Sequence, residues 1–228
     1  METGQQGRTR CDARFERALA RRGYAAIAGL DEAGRGSLFG PVFAAAVVLP
    51  GGARLDGVRD SKQLAPATRE KLAGEIASRA AAWSVASVDA ADIDRINIYQ
   101  ASRLAMKRAV MGLALPPDFL LVDAMSVDLP LPQRALIRGD ARSQTIAAAS
   151  ILAKVHRDRL MRQWDEVYPQ YGLARSKGYG TREHLAALAR FGPTAQHRLT
   201  FEPVREALGL GQMSLEFGAA AGAGWCRH

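Results

Sequence analysis

The sequence predicts an α/β domain with a mixed central sheet of five strands, flanked by helices and followed by a helical C-terminal extension. Three β patterns come early in the chain, and helical patterns then alternate with single β patterns, an order typical of a layered α/β fold. The chain has 228 residues and is 48% apolar, which is enough to fill a substantial core. A wholly disordered protein is therefore excluded.

Short runs of apolar and β-branched residues predict the strands. The first two are joined by a glycine-rich loop, and the second is apolar enough to be covered on both faces. The fourth ends in an acidic residue. The predicted strands are 24–30, 42–49, 83–88, 118–123 and 135–138.

Helical periodicity accounts for most of the remaining chain. The longest pattern is apolar nearly all round in its first two turns, so we expect that end to be buried and the RDRLMRQWDE end to reach solvent. The segment 93–112 fits one or two helices. The other predicted helices are 12–21, 66–82, 143–168 and 181–191, the last stopped by Gly192 and Pro193.

Terminal composition divides the chain into three parts. Residues 1–23 are polar and Arg-rich, and we expect them to be poorly ordered or to form a short helix. Residues 24–207 form the predicted domain, and the Gly/Ala-rich residues 208–228 form a flexible tail.

The charge balance favours a polyanionic partner. Lys and Arg number 31 against 23 Asp and Glu, a net charge of +8, although a merely solvated basic surface would give the same number. The two cysteines, Cys11 and Cys226, have no metal-ligand spacing and indicate a reducing compartment. No signal peptide or membrane-spanning run is present in the sequence, so we expect a cytoplasmic monomer.

Acidic residues stand at or near the ends of several predicted strands. Asp31 and Glu32 close the first, Asp123 closes the fourth, and Asp140 follows the fifth. If these ends share one edge of the sheet, four carboxylates converge, and their repulsion is tolerated only with bound cations or protons. Oxygen ligands suit Mn²⁺ or Mg²⁺. The sequence therefore predicts a divalent metal site.

Simpler roles compete with metal binding for some of these acids. Asp140 precedes a helix and is equally placed to cap it or to pair with an arginine. Asp31 and Glu32 fit such roles less well, because adjacent strand residues point to opposite faces and only an irregular strand end brings both to one site. Asp158, midway along the long helix between two arginines, is expected to form ion pairs instead.

Glycine, basic and aromatic residues supply candidate contacts to nucleic acid. The loop at Gly34, Arg35 and Gly36 is followed by a strand, which excludes a dinucleotide-binding fingerprint, but bare backbone and Arg35 still suit a phosphate or a sugar hydroxyl. Tyr179 lies between two glycines and is placed either to stack on a base or to anchor its loop. Further candidate phosphate contacts are Ser61, Lys62 and Lys177.

Seven sequence blocks follow one another along the chain. They are GLDEAGRGSLFGPV (29–42), DSKQL (60–64), INIYQASRLAM (96–106), LLVDA (120–124), GD with TIAAASILAKVHRD (139–158), YGLARSKGYGT (171–181) and HRLTFEPV (197–204). In these blocks and their order the chain resembles ribonuclease HII, the type 2 ribonuclease H family, from about residue 24 to 207. Two positions depart from the usual pattern: Ala124-Met125 stands where the family usually has Gly-Asn, and Ser176 where it usually has His.

The resemblance implies an RNase H-like fold and an endonuclease that cuts the RNA part of RNA/DNA hybrids, including a single ribonucleotide in duplex DNA. It implies that Asp31, Glu32, Asp123 and Asp140 are the catalytic, metal-binding acids. Gly34, Arg35 and Gly36 then recognise the ribose 2′-hydroxyl, and Tyr179 stacks at the RNA–DNA junction. Hydrolysis with two metal ions should leave 5′-phosphate and 3′-hydroxyl ends.

Two other functions remain open from the sequence alone. One is a non-catalytic basic protein that binds nucleic acid, in which the acids serve as caps and salt-bridge partners. The other is a different nuclease or integrase with an RNase H-like fold. The departures at Ala124-Met125 and Ser176 bear on substrate positioning and leave the predicted metal ligands unchanged.

Overall fold

The computed structural model describes residues 11–53, 55–58 and 64–210. Within them the strands form one mixed sheet in the order β3-β2-β1-β4-β5, which confirms the predicted five-stranded sheet. β1 is antiparallel to β2 and parallel to β4, β2 is antiparallel to β3, and β4 is parallel to β5. The strands are β1 Ile27–Ala33, β2 Val42–Val48, β3 Ala82–Val88, β4 Phe119–Asp123 and β5 Gln133–Leu136.

The predicted helices are all present, with ends that shift by a few residues. The predicted segment 93–112 forms two helices, separated at Asn97, whose side chain accepts the N–H of Gln100 and so starts the second helix. The helices are α1 Arg14–Ala20, α2 Pro66–Arg79, α3 Ala90–Ile96, α4 Ile98–Met111, α5 Gln144–Val167, α6 Leu173–Ser176, α7 Arg182–Phe191 and α8 Glu202–Ala207.

The sheet lies between two layers of helix. Alternate residues of β2 face opposite ways: Ala44 and Ala46 pack in the core that contains α4, whereas Ala45 and Val47 pack in the core that contains α2 and α5. This strand is therefore buried on both faces, as its apolar sequence predicts.

α5 lies against β1 at Gly29. A Cβ atom built at this position would overlap the backbone of Thr145 and Ile146, so the helix approaches the strand more closely than any side chain allows. This contact sets the height of α5 above the sheet and hence the position of the side chains that α5 directs toward the end of β1.

The first turn of α5 is held by α1. Ser143 is the N-cap residue, and its hydroxyl accepts the N–H of Ile146. Glu16 of α1 accepts hydrogen bonds from the hydroxyl of Ser143 and from both the N–H and the hydroxyl of Thr145. Leu19 of α1 packs with Ile27, Leu136 and Ile146. The N-terminal helix is thus tied to the segment that carries Asp140.

The expectation that the RDRLMRQWDE end of α5 reaches solvent is wrong at its start. Arg157, Asp158 and Met161 are buried, because Arg157 lies against Gly34 and Ser37 and Asp158 faces Arg69 of α2. Met161 packs with Phe39, Tyr171 and other apolar side chains in a separate cluster. Asp158 forms ion pairs, as predicted, with Lys154 at 2.5 Å and Arg69 at 3.6 Å.

Two fully buried histidines join the C-terminal helices to the loop that carries Tyr179. Nδ1 of His184 donates to the carbonyl of Tyr179 at 2.9 Å, which leaves its Nε2 as an acceptor. Nε2 of His197 lies 3.2 Å away and must donate to it, while Nδ1 of His197 accepts the N–H of Thr194. Each ring nitrogen therefore has one defined role, and both rings are neutral.

In the described part of the chain, no helix combines the length and the apolar character that crossing a membrane requires.

Replacing Gly29 by Ala should destabilise the protein by about 1–3 kcal/mol, because the added methyl group must push α5 away from β1. Gly74→Ala is the matched control: it lies in the exposed face of α2 with open space around it, and should stabilise by about 0.5–1 kcal/mol. Urea unfolding of both variants measures the difference. Equal stabilities of the two variants would contradict the close approach.

The histidine pair should make the protein less stable as the pH falls. Burial, followed by the neighbouring His184, lowers the pKa of His197 from 6.5 to about 4, so the unfolded chain takes up a proton in a range where the folded chain does not. Stability from this group is complete above pH 6.5 and is lost toward pH 4, by roughly 2 kcal/mol at pH 5.

Urea unfolding of the wild type and of His197→Gln at pH 7.5 and pH 5 tests this pH dependence. The variant should be less stable at pH 7.5 but should lose less stability on acidification. The other titrating groups contribute equally to both proteins. The difference between their losses of unfolding free energy from pH 7.5 to pH 5 is therefore the contribution of His197. Parallel pH profiles would show that His197 is protonated in the folded protein.

Candidate active site

The candidate site lies where β1 and β4 separate. Their pairing ends at Leu30 with Val122, but β1 continues for three residues paired only with β2. Asp31 and Glu32, which the sequence predicts to close the first strand, lie in this extension opposite Ala45 and Ala44. Asp123 ends β4 on the other side of the gap. The divergence of the strands leaves room for these side chains.

A cavity of about 280 Å³ opens at this gap. Three of the four predicted acids line it, together with the whole Gly34-Arg35-Gly36 loop and Tyr179. Its lining residues are Asp31, Glu32, Ala33, Gly34, Arg35, Gly36, Asp123, Ser150, Lys154 and Tyr179. Asp140 is not among the residues that line it.

Burial and mutual repulsion disfavour the charged forms of these acids. Desolvation raises the pKa of Asp31 well above its usual value, and Glu32, Asp123 and Asp140 raise it further, while a hydrogen bond from Ser150 opposes them. Burial also raises the pKa of Glu32, against the opposing effect of Arg35, whose guanidinium lies 3.3 Å from its Oε1. The four acids are therefore close enough to affect one another.

Backbone hydrogen bonds orient two of the acids. The N–H of Glu32 donates to Oδ1 of Asp31 at 2.7 Å, and the N–H of Gly139 donates to Oδ1 of Asp123 at 2.6 Å. Asp140 follows Gly139 in a buried 3₁₀ turn, so this bond links the turn to the end of β4. The capping role considered for Asp140 is taken by Ser143.

The donor set fits a hard divalent cation. Among the described residues, no three acidic, histidine or cysteine side chains are close enough to form a closed metal site by themselves. However, Asp31, Glu32 and Asp123 face one cavity, and Oε2 of Glu32 is buried without a hydrogen-bond partner within the described ranges. A cation bound by carboxylate oxygens would satisfy this atom and offset the repulsion.

The Gly34-Arg35-Gly36 loop is held from below by buried arginines. Gly34 has φ of 92°, and a Cβ there would overlap Arg157. Arg198 donates to the carbonyls of Arg35 and Gly40 at 2.8 and 2.9 Å. The loop therefore presents its backbone and the half-exposed Arg35 side chain to the cavity in a fixed conformation.

Of the predicted substrate contacts on the C-terminal side, Tyr179 lines the cavity and Lys177 does not. The Tyr179 ring is 37% exposed and lies 5.4 Å from the Arg157 guanidinium, at the rim of the cavity. Lys177 has φ of 52° and donates to the carbonyl of Ala174, and it is not among the cavity residues. Ser61 and Lys62, like Cys226, lie outside the described residues.

Sequence reasoning missed the role of one face of α5. Ser150, Lys154 and Arg157 follow one another at helical spacing; the first two line the cavity, and Arg157 lies beneath Gly34 and Tyr179. Arg157 is fully buried, donates to Ser37 at 2.6 Å, and has no hydrogen-bond partner for Nε or Nη1 within the described part. In the sequence, the only sign of this shared face was the spacing of the three polar residues, which are four and then three positions apart.

The two departures from the usual motif are accommodated locally. Ala124 has φ of 51°, the left-handed conformation that glycine adopts more easily, and Met125 packs into the core beside α4. The hydroxyl of Ser176 accepts the N–H of Gly178 at 3.2 Å, close to Tyr179. Both positions thus retain ordered turns beside the site.

Comparison with known proteins gives consistent matches. The family model described as Ribonuclease HII matches residues 28–204. A ribonuclease HII of Solibacter usitatus is 60% identical over 199 residues, which cover 87% of each chain.

Solved structures show the same fold. The ribonuclease H2 of Pyrococcus horikoshii matches with a TM-score of 0.71 and 26% identity over 81% of this chain and 98% of that one. The structure of Bst-RNase HIII in complex with Mn²⁺ matches with a TM-score of 0.64 at 20% identity, over 82% of this chain and 70% of that one. The predicted RNase H-like fold is therefore confirmed.

Since the family model covers more than half of the sequence and the Solibacter relative is similar over most of both proteins, the chain belongs to the ribonuclease HII family of metal-dependent endoribonucleases.

Proposed function

We propose that this protein hydrolyses the RNA strand of RNA/DNA hybrids and cuts on the 5′ side of single ribonucleotides embedded in duplex DNA. The observation that carries the proposal is one cavity lined by three carboxylates, the Gly34-Arg35-Gly36 loop and Tyr179. Acids for catalysis, a loop for the sugar and a ring for stacking thus lie within reach of one nucleotide. Membership of an endoribonuclease family argues against the non-catalytic alternative.

Asp31, Glu32 and Asp123 hold Mn²⁺ or Mg²⁺ in this proposal, with Asp140 completing the second position. When bound, such ions would supply activation of a water for in-line attack and charge stabilisation at the leaving 3′ oxygen, so the products would carry 5′-phosphate and 3′-hydroxyl ends. The bonds from Ser150 to Asp31 and from Gly139 to Asp123 keep the carboxylates oriented. Such fixed partners lower the cost of arranging ligands at each turnover.

The Gly34-Arg35-Gly36 loop recognises the ribose 2′-hydroxyl, the group that distinguishes RNA from DNA. Gly36 supports this role because a Cβ there would meet only the edge of the Tyr179 ring, so the backbone is open to a ligand on the cavity side. Arg35 is also the partner of Glu32. The residue that contacts the sugar thus lies next to a proposed metal ligand.

Tyr179 stacks at the junction between the ribonucleotide and the following deoxyribonucleotide. Its ring is anchored from below by the cation–π contact with Arg157, and its carbonyl by His184. Ser61, Lys62 and Lys177 bind phosphates. The Lys177 ammonium uses one of its three N–H groups on Ala174, which leaves two for a phosphate oxygen.

The same proposal includes the cellular context predicted from the sequence. A monomer in the cytoplasm that cuts at single ribonucleotides would act in ribonucleotide excision repair. Analytical ultracentrifugation at micromolar concentration tests the oligomeric state independently of the activity.

The Asp123→Asn variant should lose cleavage by at least about 100-fold, on the scale of removing one group that stabilises charge in the transition state. The amide oxygen can still accept the Gly139 N–H, so the fold should be retained. Mn²⁺ titration followed by thermal unfolding should show weaker stabilisation than in the wild type, while binding of hybrid duplex persists.

Asp128→Asn is the control for Asp123→Asn, because it removes a carboxylate that is 79% exposed and paired with Lys107 outside the cavity. It should cleave and bind Mn²⁺ as the wild type does. Wild-type activity in Asp123→Asn would remove this residue from the catalytic site.

The Arg35→Ala variant should weaken the preference for a single embedded ribonucleotide over a long hybrid. A long hybrid offers many adjacent ribonucleotides and phosphates, whereas an isolated ribonucleotide must be found through one 2′-hydroxyl. The ratio of kcat/KM for the two labelled substrates measures this preference. An equal loss on both would show that Arg35 is a general phosphate contact.

A further inference from the structure

Three arginines surround a single phenylalanine ring at the β5 side of the molecule. The guanidinium carbons of Arg14, Arg134 and Arg142 lie 4.9, 5.4 and 5.2 Å from the centre of the Phe15 ring. They come from three different parts of the chain: α1, β5 and the segment before α5. We call Phe15 with these three arginines the Phe15 patch.

The Phe15 patch concentrates positive charge that the described part of the protein does not neutralise. None of the three arginines forms a salt bridge with a described acid. The nearest acids in sequence are hydrogen-bonded to other groups: Asp12 accepts the backbone N–H of Arg14, and Oε1 of Glu16 accepts three bonds from Ser143 and Thr145. Cation–π contacts hold each arginine in place but leave the charges to repel one another.

The centre of the Phe15 patch is anchored to the fold. The Phe15 ring packs against the cluster of Leu19, Leu136 and Ile146 and others, which joins α1 to the sheet and α5. Arg142 donates to the carbonyl of Ile137, across the turn that carries Asp140. The ring and Arg142 are therefore held in place before a ligand arrives, which lowers the entropic cost of binding.

The position of the Phe15 patch connects it to the candidate active site. Arg142 lies two residues after Asp140, and Arg134 lies two residues before Leu136, the partner of Asp123 across the β4–β5 pair. Two residues of strand span only ~7 Å. The Phe15 patch thus approaches the acids from β5, whereas Tyr179 reaches the cavity from the C-terminal helices.

We propose that the Phe15 patch binds phosphates of the substrate backbone beside the cut site. The patch offers three guanidinium groups within 5.4 Å of one ring centre, and guanidinium groups bind phosphate oxygens, so the patch fits the phosphodiester backbone. This inference rests on the proposed function, since it assumes that the neighbouring cavity acts on nucleic acid. It assigns a contact to Arg14 and Arg134, which lie outside the matched sequence blocks.

The double variant Arg14→Gln/Arg134→Gln tests the Phe15 patch and leaves Arg142 in place to hold the Asp140 turn. Its Kd for a fluorescent duplex of about 24 base pairs with one ribonucleotide, measured in EDTA over a range of salt concentrations, should rise about 10-fold at about 0.1 M salt. The slope of log Kd against log salt should fall by about one for each arginine that contacts a phosphate. A DNA-only duplex should show the same loss.

Arg103→Gln/Arg108→Gln is the matched control, because it removes two charges from α4 on the other face of the sheet. It should bind as the wild type does, and Arg14→Lys/Arg134→Lys should recover most of the lost affinity because it restores the charges. Wild-type affinity in the Gln variant would overturn the proposal. So would an equal loss in the control, which would indicate bulk charge alone.

Two further outcomes distinguish phosphate binding by the Phe15 patch from lipid binding and from failure of the proposed function. Loss of binding to phosphatidylserine vesicles with unchanged duplex binding would overturn the proposal in favour of an acidic lipid surface. If the wild type binds the duplex but does not cut it when Mn²⁺ is added, the proposed function fails while the binding data still decide the role of the Phe15 patch.

Discussion

The close packing of α5 on β1 at Gly29 is the contact on which the rest of the architecture depends. One helix of 24 residues carries, at intervals of two turns, the N-terminal cap beside Asp140, the hydroxyl that bonds Asp31, and the arginine beneath the glycine loop. Because the helix is rigid, its height above β1 places all three features together. The absence of a side chain at Gly29 thus determines how the acids, the glycine loop and the C-terminal helices meet.

This arrangement buries charge of both signs within a short distance. Asp31 is 6% exposed, and Arg157 is fully buried with two nitrogens lacking partners among the described residues. Neither group is neutralised in the way that a structural salt bridge is, and each would lower stability if nothing else bound nearby. Buried charges of this kind mark places where a protein forgoes stability for binding, and here both lie close to the Gly34-Arg35-Gly36 loop.

Local sequence patterns were sufficient for the sheet and the long helices, because strand alternation and helical periodicity are properties of neighbouring residues. They were insufficient for the burial of Arg157, which depends on contacts with Gly34, Ser37 and Tyr179, residues that lie far from it in sequence. The acids were found because they stand at strand ends. Their placement was not predicted: Asp31 and Glu32 lie inside the ladder with β2, because strand length depends on tertiary pairing. Asp140 is not among the residues that line the cavity.

The histidine pair has a consequence for how this region of the sequence can vary. Each of its four ring nitrogens has one partner of one polarity, in a chain running from Thr194 to the carbonyl of Tyr179. A replacement at either position leaves the other imidazole facing a group of the wrong kind. A substitution at position 184 should therefore be tolerated only with a matching substitution at position 197. Among related sequences the two positions, 13 apart in sequence, should vary together.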